Sequence, residues 1–274
     1  MSNLTLRVLV AIVGIPLIVA LVIAGSWWLA AFIALVSGLG AGEFYRLAQA
    51  KGASPHTAIG IAAAAALPLA LAVDPALVPP VLTVACMATF VAQLRSGPDR
   101  AIASVGATAL GMLYPALLLG WLLPLRQWSV ASPDDGAWLL LVTISGIWMC
   151  DTAAYFVGRW LGRHPLSPRT SPKKTWEGAL AGLLASVVWC GVFIPLSLGW
   201  AAPWLGLAIG GIIGTVGQAG DLAKSLLKRD AGVKDSSALI PGHGGILDRF
   251  DSITATAPAV YGLLVLLRSA SVLP

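Results

Sequence analysis

The chain has 274 residues, of which 58% are hydrophobic and only 11% charged, with a formal net charge of +5 and a mean hydropathy of +0.86. A soluble domain carries about 25% charged residues, so this chain cannot cover a water-facing surface and a soluble class is excluded. The excess of cations does not point to nucleic acid, because membrane topology accounts for it below. The chain is read as a polytopic membrane protein, with residues 1–274 as one domain.

Nine stretches come near the about 20 apolar residues that a membrane span needs: residues 6–24, 27–47, 57–73, 76–94, 102–125, 137–156, 178–198, 203–220 and 250–267. The third is short and rich in Ala and Gly, and is the weakest of them. Backbone groups find no water in lipid, so spans must be helices. Alternating segments of a β-barrel are absent. The expected fold is all-α, a helical bundle of about nine transmembrane helices. Residues 1–125 are expected to be mainly scaffold and residues 137–274 to carry the chemistry. The first apolar run lacks a cleavage pattern and is expected to stay as an anchor. Cys86, Cys150 and Cys190 lie in separate apolar stretches, form no CxxC, and read as buried small side chains.

Charge sets the orientation. With alternate connections placed on alternate sides, all of the 17 Lys and Arg except Arg126 and Arg268 fall on one side. The positive-inside rule makes that side cytoplasmic. The N-terminus is therefore expected in the cytoplasm of a bacterial-type inner (plasma) membrane and the C-terminus outside. Gly206, Gly210 and Gly214 recur every fourth residue and predict close helix packing. Trp27, Trp28, Trp121, Trp128, Trp138, Trp200 and Trp204 sit near span ends, as interface anchors do.

Carboxylates inside a membrane are costly and are functional suspects. Asp151 lies late in the sixth span and Asp221 closes the eighth. Glu43, in the second, is expected to pair with Arg46 three residues on. The loop from Arg159 to Glu177 carries a run, Ser171 to Gly178, that opens the seventh span. Its proline, hydroxyls and Glu177 are helix-entry signals. Its two lysines and two hydroxyls at a helix N-terminus also suit an anion. Both readings stand. There is no HExxH, GxSxG or Gly-rich GKS/GKT loop.

The longest polar run is SLLKRDAGVKDSSALIPGHGGILDRFD, residues 225–251. It combines Lys228, Arg229, Lys234 and Arg249 with Asp230, Asp235, Asp248 and Asp251 around a glycine turn. Glycines let backbone N–H groups approach a ligand closely. Cations, carboxylates and such a turn together suit a metal-bound polyphosphate.

The pattern Ser225-x-Leu227-Lys228-Arg229, Lys234-Asp235 and Pro241-x-His243-Gly244-Gly245-Ile246-x-Asp248-Arg249-Phe250-Asp251 resembles the signature of the phosphatidate cytidylyltransferases, the CDP-diacylglycerol synthases. The match covers 27 contiguous residues. Three upstream elements look like the same family: Asp151-Thr152-x-Ala154-Tyr155-x-x-Gly158-Arg159, Ser171-Pro172-x-Lys174-Thr175-x-Glu177-Gly178, and Gly220-Asp221-Leu222. Ala153 departs from it, where relatives often have glycine. The first half of the chain is similar in hydropathy only.

The resemblance implies that phosphatidic acid and CTP give CDP-diacylglycerol and pyrophosphate, with Mg²⁺ required and a second cation left open. It implies Asp221 and Asp248 as metal ligands. Lys228, Arg229, Lys234 and Arg249 would hold phosphates, with Asp235 and His243 in the same catalytic set. The turn of Gly242, Gly244 and Gly245 would cradle a phosphate. Ser171, Lys174 and Thr175 would form the opposite wall, with Asp151, Glu177 and Ser225 completing the substrate-binding set. A helical membrane fold, membrane lipids as surroundings and a homodimer follow from the same likeness. The chemistry is consistent, because a phosphate oxygen is already an anionic nucleophile and needs only positioning and charge stabilisation. Topology agrees independently, since all these motifs fall on the side assigned to the cytoplasm, where CTP is.

The rival reading is a transporter with an intramembrane carboxylate site. It leaves the concentration of polar residues on one side unexplained. The expected topology is checked by reporter fusions: a periplasm-active reporter after Pro274 gives signal and one after Lys234 does not. The reverse pattern overturns the orientation, and signal from both overturns the span count.

Overall fold

A computed structural model describes residues 3–237, 239 and 244–273. Most of the described residues lie in helices, joined by loops and one short hairpin. Seven helices are long and apolar enough to cross a membrane: Trp27–Ala50, Pro75–Ser96, Ala101–Arg126, Asp135–Leu161, Trp176–Ser197, Pro203–Asp230 and Asp251–Ser269. Shorter apolar helices, Val10–Ala24 and Thr57–Val73, occupy the first and third expected spans. At 1.5 Å rise, the 17 residues of the second of these reach about 25 Å, less than the about 30 Å of a hydrocarbon core. The all-α polytopic membrane architecture is thus the observed one.

The chain divides into two compact units, Met1–Leu123 with Leu227–Phe250, and Pro124–Leu226 with Asp251–Pro274. The first unit holds α1 (Asn3–Ala24), α2 (Ser26–Ala50), α3 (Thr57–Val73), α4 (Val78–Ser96) and α5 (Ala101–Gly120). Its core is built on Tyr45, which is fully buried and donates to the Thr108 carbonyl at 2.9 Å. Tyr45 fits because its neighbours lack side chains. A Cβ on Gly60 would lie 1.8 Å from its hydroxyl oxygen, and one on Gly111 would lie 2.1 Å from its ring. Leu247, from the polar run, joins Ala41, Phe44, Met112 and Ala116 in this core. Phe250 meets Phe32 edge-on with ring centres 6.1 Å apart. The signature run is therefore anchored among the N-terminal helices, which the sequence marks only by hydropathy.

The second unit holds α6 (Leu122–Arg126) from Pro124 onward, α7 (Asp135–Leu161), a hairpin of β1 (Pro165–Ser167) and β2 (Ser171–Thr175), α8 (Trp176–Ser197), α9 (Pro203–Ile212), the start of α10 (Gln218–Asp230), and α11 (Asp251–Ser269). The strands are antiparallel, with Ser167 opposite Ser171 and Pro165 opposite Thr175. The eighth span does not end at Gly220. A single π turn, Ile213–Gly217, interrupts it, and α10 carries on to Asp230. The π turn leaves carbonyls to be satisfied, and Gln218 donates through Nε2 to Gly214 O at 2.7 Å and Ala179 O at 2.9 Å. The every-fourth glycines do pack against a helix: Cβ atoms on Gly206, Gly210 and Gly214 would lie 2.2, 2.4 and 2.5 Å from the backbone of Cys190, Ser186 and Leu183 in α8.

This contact gives a stability prediction. Gly210→Ala forces α9 away from α8 and costs about 1–3 kcal/mol, the range for overpacking. Gly211→Ala, with nothing within 4 Å of its added methyl, is neutral or stabilising by about 0.5–1 kcal/mol through helix propensity. Thermal unfolding in detergent reads both. Equal midpoints would mean that α8 and α9 are not in close contact.

Candidate active site

In the second unit the hairpin and two helix starts bring four charges together. The hairpin ends where Gly178 N–H donates to Thr175 Oγ1 at 3.2 Å, so Thr175 caps α8 as its sequence position suggests. Glu177 ties the loop from behind, accepting from Arg163 N at 3.1 Å, His164 N at 3.3 Å and the His164 ring at 2.5 Å. β2 then delivers Lys174 onto Asp221 Oδ2, in the first turn of α10. Lys224, one turn further, lies 3.4 Å from Asp221 Oδ1 and bonds Asp251 Oδ2 at the start of α11. Asp251 Oδ1 accepts from Ser252 N at 2.7 Å. The result is an alternating row, Lys174–Asp221–Lys224–Asp251, with no net charge. Close approach of α10 and α11 makes it possible, since a Cβ on Gly220 would lie 2.6 Å from the Ala255 methyl.

In the first unit a second cluster forms around Asp248. Its Oδ1 accepts from Lys228 Nζ at 2.6 Å. Its Oδ2 accepts from Ser236 N at 2.9 Å and Gly245 N at 3.0 Å, with Ser236 Oγ also at 2.9 Å. Next to it stands Glu43 from α2, with no exposed surface. Its Oε1 accepts from Ser237 Oγ at 2.5 Å and Ile246 N at 2.9 Å. Its Oε2 accepts from Leu247 N at 2.9 Å and lies 2.8 Å from Ser236 Oγ. Gly244 has φ +82°, the left-handed region, which glycine occupies without a Cβ penalty. Gly245 has no room for a side chain: a Cβ there would lie 2.2 Å from Ser236 Oγ and 2.4 Å from Glu43 Oε2.

The sequence profile described as the cytidylyltransferase family matches residues 5–267. The chain belongs to that family. It is 39% identical over 287 aligned residues to the phosphatidate cytidylyltransferase of Synechocystis sp., with 96% of this chain and 97% of that protein covered. It is 44% identical over 131 residues to the enzyme of that name from Haemophilus influenzae, covering 46% of this chain and 45% of the relative. To the chloroplastic phosphatidate cytidylyltransferase 5 of Arabidopsis thaliana it is 39% identical over 176 residues, 64% of this chain and 41% of the relative.

For a cytidylyltransferase the two clusters divide the expected residues. Lys174 and Asp221 meet in one unit, and Lys228, Asp248 and Gly245 in the other. Thr175 and Glu177 shape the hairpin rather than join the charged row. Ser171 pairs with Ser167 on the strand, and Ser225 is half-buried on α10. Asp151 is exposed on α7, Arg229 is exposed at the end of α10, and Lys234, Asp235 and Arg249 are exposed in the run that follows. His243 and Gly242 lie outside the described residues. Glu43 does not pair with Arg46 among the contacts described: Arg46 is exposed, while Glu43 turns inward to Ser236, Ser237 and the 246–247 backbone. Three further residues were not assigned from the sequence: Lys224, Asp251 and Ser236. Asp251 closes the signature, and Lys224 follows Asp221 at the helical spacing of three, so both left a signal.

Lys174 supplies a prediction. Removing a charged hydrogen bond costs about 1.5–3 kcal/mol, or about 10- to 150-fold in rate. Lys174→Ala therefore lowers CTP turnover by that factor, whereas Arg169→Ala, exposed between the strands, does much less. Equal small losses would reduce the hairpin to a topogenic and capping segment.

Proposed function

We propose that this cytidylyltransferase converts phosphatidic acid and CTP to CDP-diacylglycerol and pyrophosphate. The observation that carries the reading is the row of two lysines and two aspartates, in a chain whose family match runs over residues 5–267. A phosphatidate oxygen attacks the α-phosphorus of CTP, the bond to the bridging oxygen breaks, and pyrophosphate leaves with that electron pair. The attacking oxygen is anionic at neutral pH, so no general base is required. The residues have to offset repulsion between two anions and hold them in line. Lys174 and Lys224 are placed to trade carboxylate for phosphate oxygens. Gly245 N–H is engaged by Asp248, so the glycine turn as a phosphate cradle rests on the sequence resemblance, with Lys228, Arg229, Lys234 and Arg249 as the cations of that half.

Mg²⁺ is part of the proposal. It takes oxygen ligands, one or two of them protein carboxylates. Asp221 fits that donor set: its oxygens face ammonium groups, where another cation can stand, and Asp251 shares one of them. Asp248, the other expected ligand, has Oδ2 facing three donors and Oδ1 on Lys228. When bound, the ion supplies further neutralisation of phosphate charge. Nine spans, a cytoplasmic N-terminus, a site open to the cytoplasm at an inner membrane, and a homodimer belong to the same reading. They rest on the cation distribution and the sequence resemblance.

The test is direct. Labelled CTP with phosphatidate in detergent yields labelled CDP-diacylglycerol and pyrophosphate in equal amounts, EDTA stops it, and Mg²⁺ restores it. Asp221→Asn removes most turnover while the protein purifies normally. Asp230→Asn, a surface carboxylate 3.3 Å from Lys51, leaves turnover near wild type. Absence of phosphatidate-dependent pyrophosphate release overturns the reading. Normal turnover of Asp221→Asn at limiting Mg²⁺ removes Asp221 from the metal site.

A further inference from the structure

Glu43 sits in an apolar helix of the N-terminal half, yet its four hydrogen-bond neighbours all come from residues 236–247, some 193 to 204 positions later. A carboxylate has about four lone-pair sites, and four donor groups face those of Glu43. The donors are two hydroxyls and two consecutive main-chain N–H groups, Ile246 and Leu247. Ser237 adjoins Ser236 and Ile246 adjoins Gly245, whose main-chain N–H groups both donate to Asp248. Serine 236 is shared: its Oγ lies within hydrogen-bond reach of Glu43 and of Asp248. With one proton, it serves one carboxylate at a time, and so couples the two. Glu43 itself is fully buried and cannot touch a substrate in water.

We propose that Glu43 is a positioning residue of the transfer reaction: by holding Ser236, Ser237 and the Ile246–Leu247 backbone it fixes the donors around Asp248, and with them Lys228, the cation that meets a CTP phosphate. This rests on the proposed cytidylyl transfer. The geometry separates positioning from simple filling of space. A side chain on Gly245 would collide with the carboxylate, and Leu247, whose N–H Glu43 holds, is itself part of the apolar core. A glutamine at this position keeps the shape but, whichever way the amide is turned, brings its NH₂ group against a main-chain N–H, Ile246 on one side and Leu247 on the other. An aspartate keeps the charge but is one methylene short of reaching all four.

The experiment uses the purified full chain in detergent, with CTP and phosphatidate varied separately and the folded fraction measured for each variant. Glu43→Gln raises KM for CTP about 10-fold or more, leaves KM for phosphatidate within about twofold, and speeds amide exchange at Ile246 and Leu247. Glu43→Asp recovers part of the CTP affinity. If the folded fraction or melting temperature falls while kcat and both KM values per folded enzyme stay at wild type, the role is structural and the proposal is overturned. Equal rises in both KM values overturn it too. Should Glu43→Gln not accumulate, Ser237→Ala removes one donor to Glu43. It is expected to raise KM for CTP about threefold or more, and an unchanged value overturns the proposal. A wild-type protein that makes no CDP-diacylglycerol defeats the transfer reading instead. In that case unchanged exchange at 246–247 in Glu43→Gln separately defeats the positional link.

Discussion

Glu43, Lys224, Lys228 and Asp248 are each at most 9% exposed in a chain that is mostly apolar. Taking an ion out of water costs several kcal/mol unless charge and hydrogen bonds replace the lost hydration. That constraint arranges the rest. Lys224 is held by Asp221 and Asp251, Lys228 by Asp248. Asp248 and Glu43 are filled by serine and main-chain donors. No element carrying one of these groups can move far without stranding a charge. The helix starts, the hairpin and the signature turn are therefore fixed by electrostatics as much as by packing.

Such networks need close backbone approach, and glycine supplies it at particular places. Gly245 admits the Glu43 carboxylate, and Gly220 brings α10 against α11 beside Asp221. Gly178 serves the hairpin: a Cβ there would lie 2.7 Å from Ala154 O in α7. Each of these three residues adjoins or lies within the sequence elements that resemble the family. Their role is steric, letting a carboxylate, a neighbouring helix and a main-chain carbonyl approach, whereas Gly244 beside Gly245 has the left-handed backbone, φ +82°.

Much of the bundle was legible because span length and hydropathy are local properties. The α8 entry, with Thr175 capping Gly178 and Glu177 in the first turn, followed the usual rules of helix starts. Three features escaped for physical reasons. The strand Ser171–Thr175 has no apolar alternation and is held by one partner strand, so periodicity could not find it. The eighth span was ended at Gly220 because Asp221, Lys224 and Lys228 follow. Yet Leu222, Leu226 and Leu227 keep the helical period on the other face, and α10 runs on to Asp230. The i, i+3 rule pairs Glu43 with Arg46. A local rule cannot compete with four donors from far along the chain when the carboxylate faces inward.

The neutral row of Lys174, Asp221, Lys224 and Asp251 has a consequence for how ligands bind. An isolated polyphosphate gains little from lysines already paired, since pulling a lysine away leaves a partly buried carboxylate uncompensated. An isolated divalent cation meets carboxylates already neutralised by ammonium groups. On the proposed reading, the two arriving together would exchange partners with the row, the lysines turning to phosphate oxygens and the carboxylates keeping a cation. Each ligand thus lowers the cost of the other, and linkage requires that the coupling be equal in both directions. On the proposed reading, the paired lysines are a device of selectivity. They hold the site in a folded, charge-balanced form and yield it to a cation–polyphosphate complex in preference to either component alone.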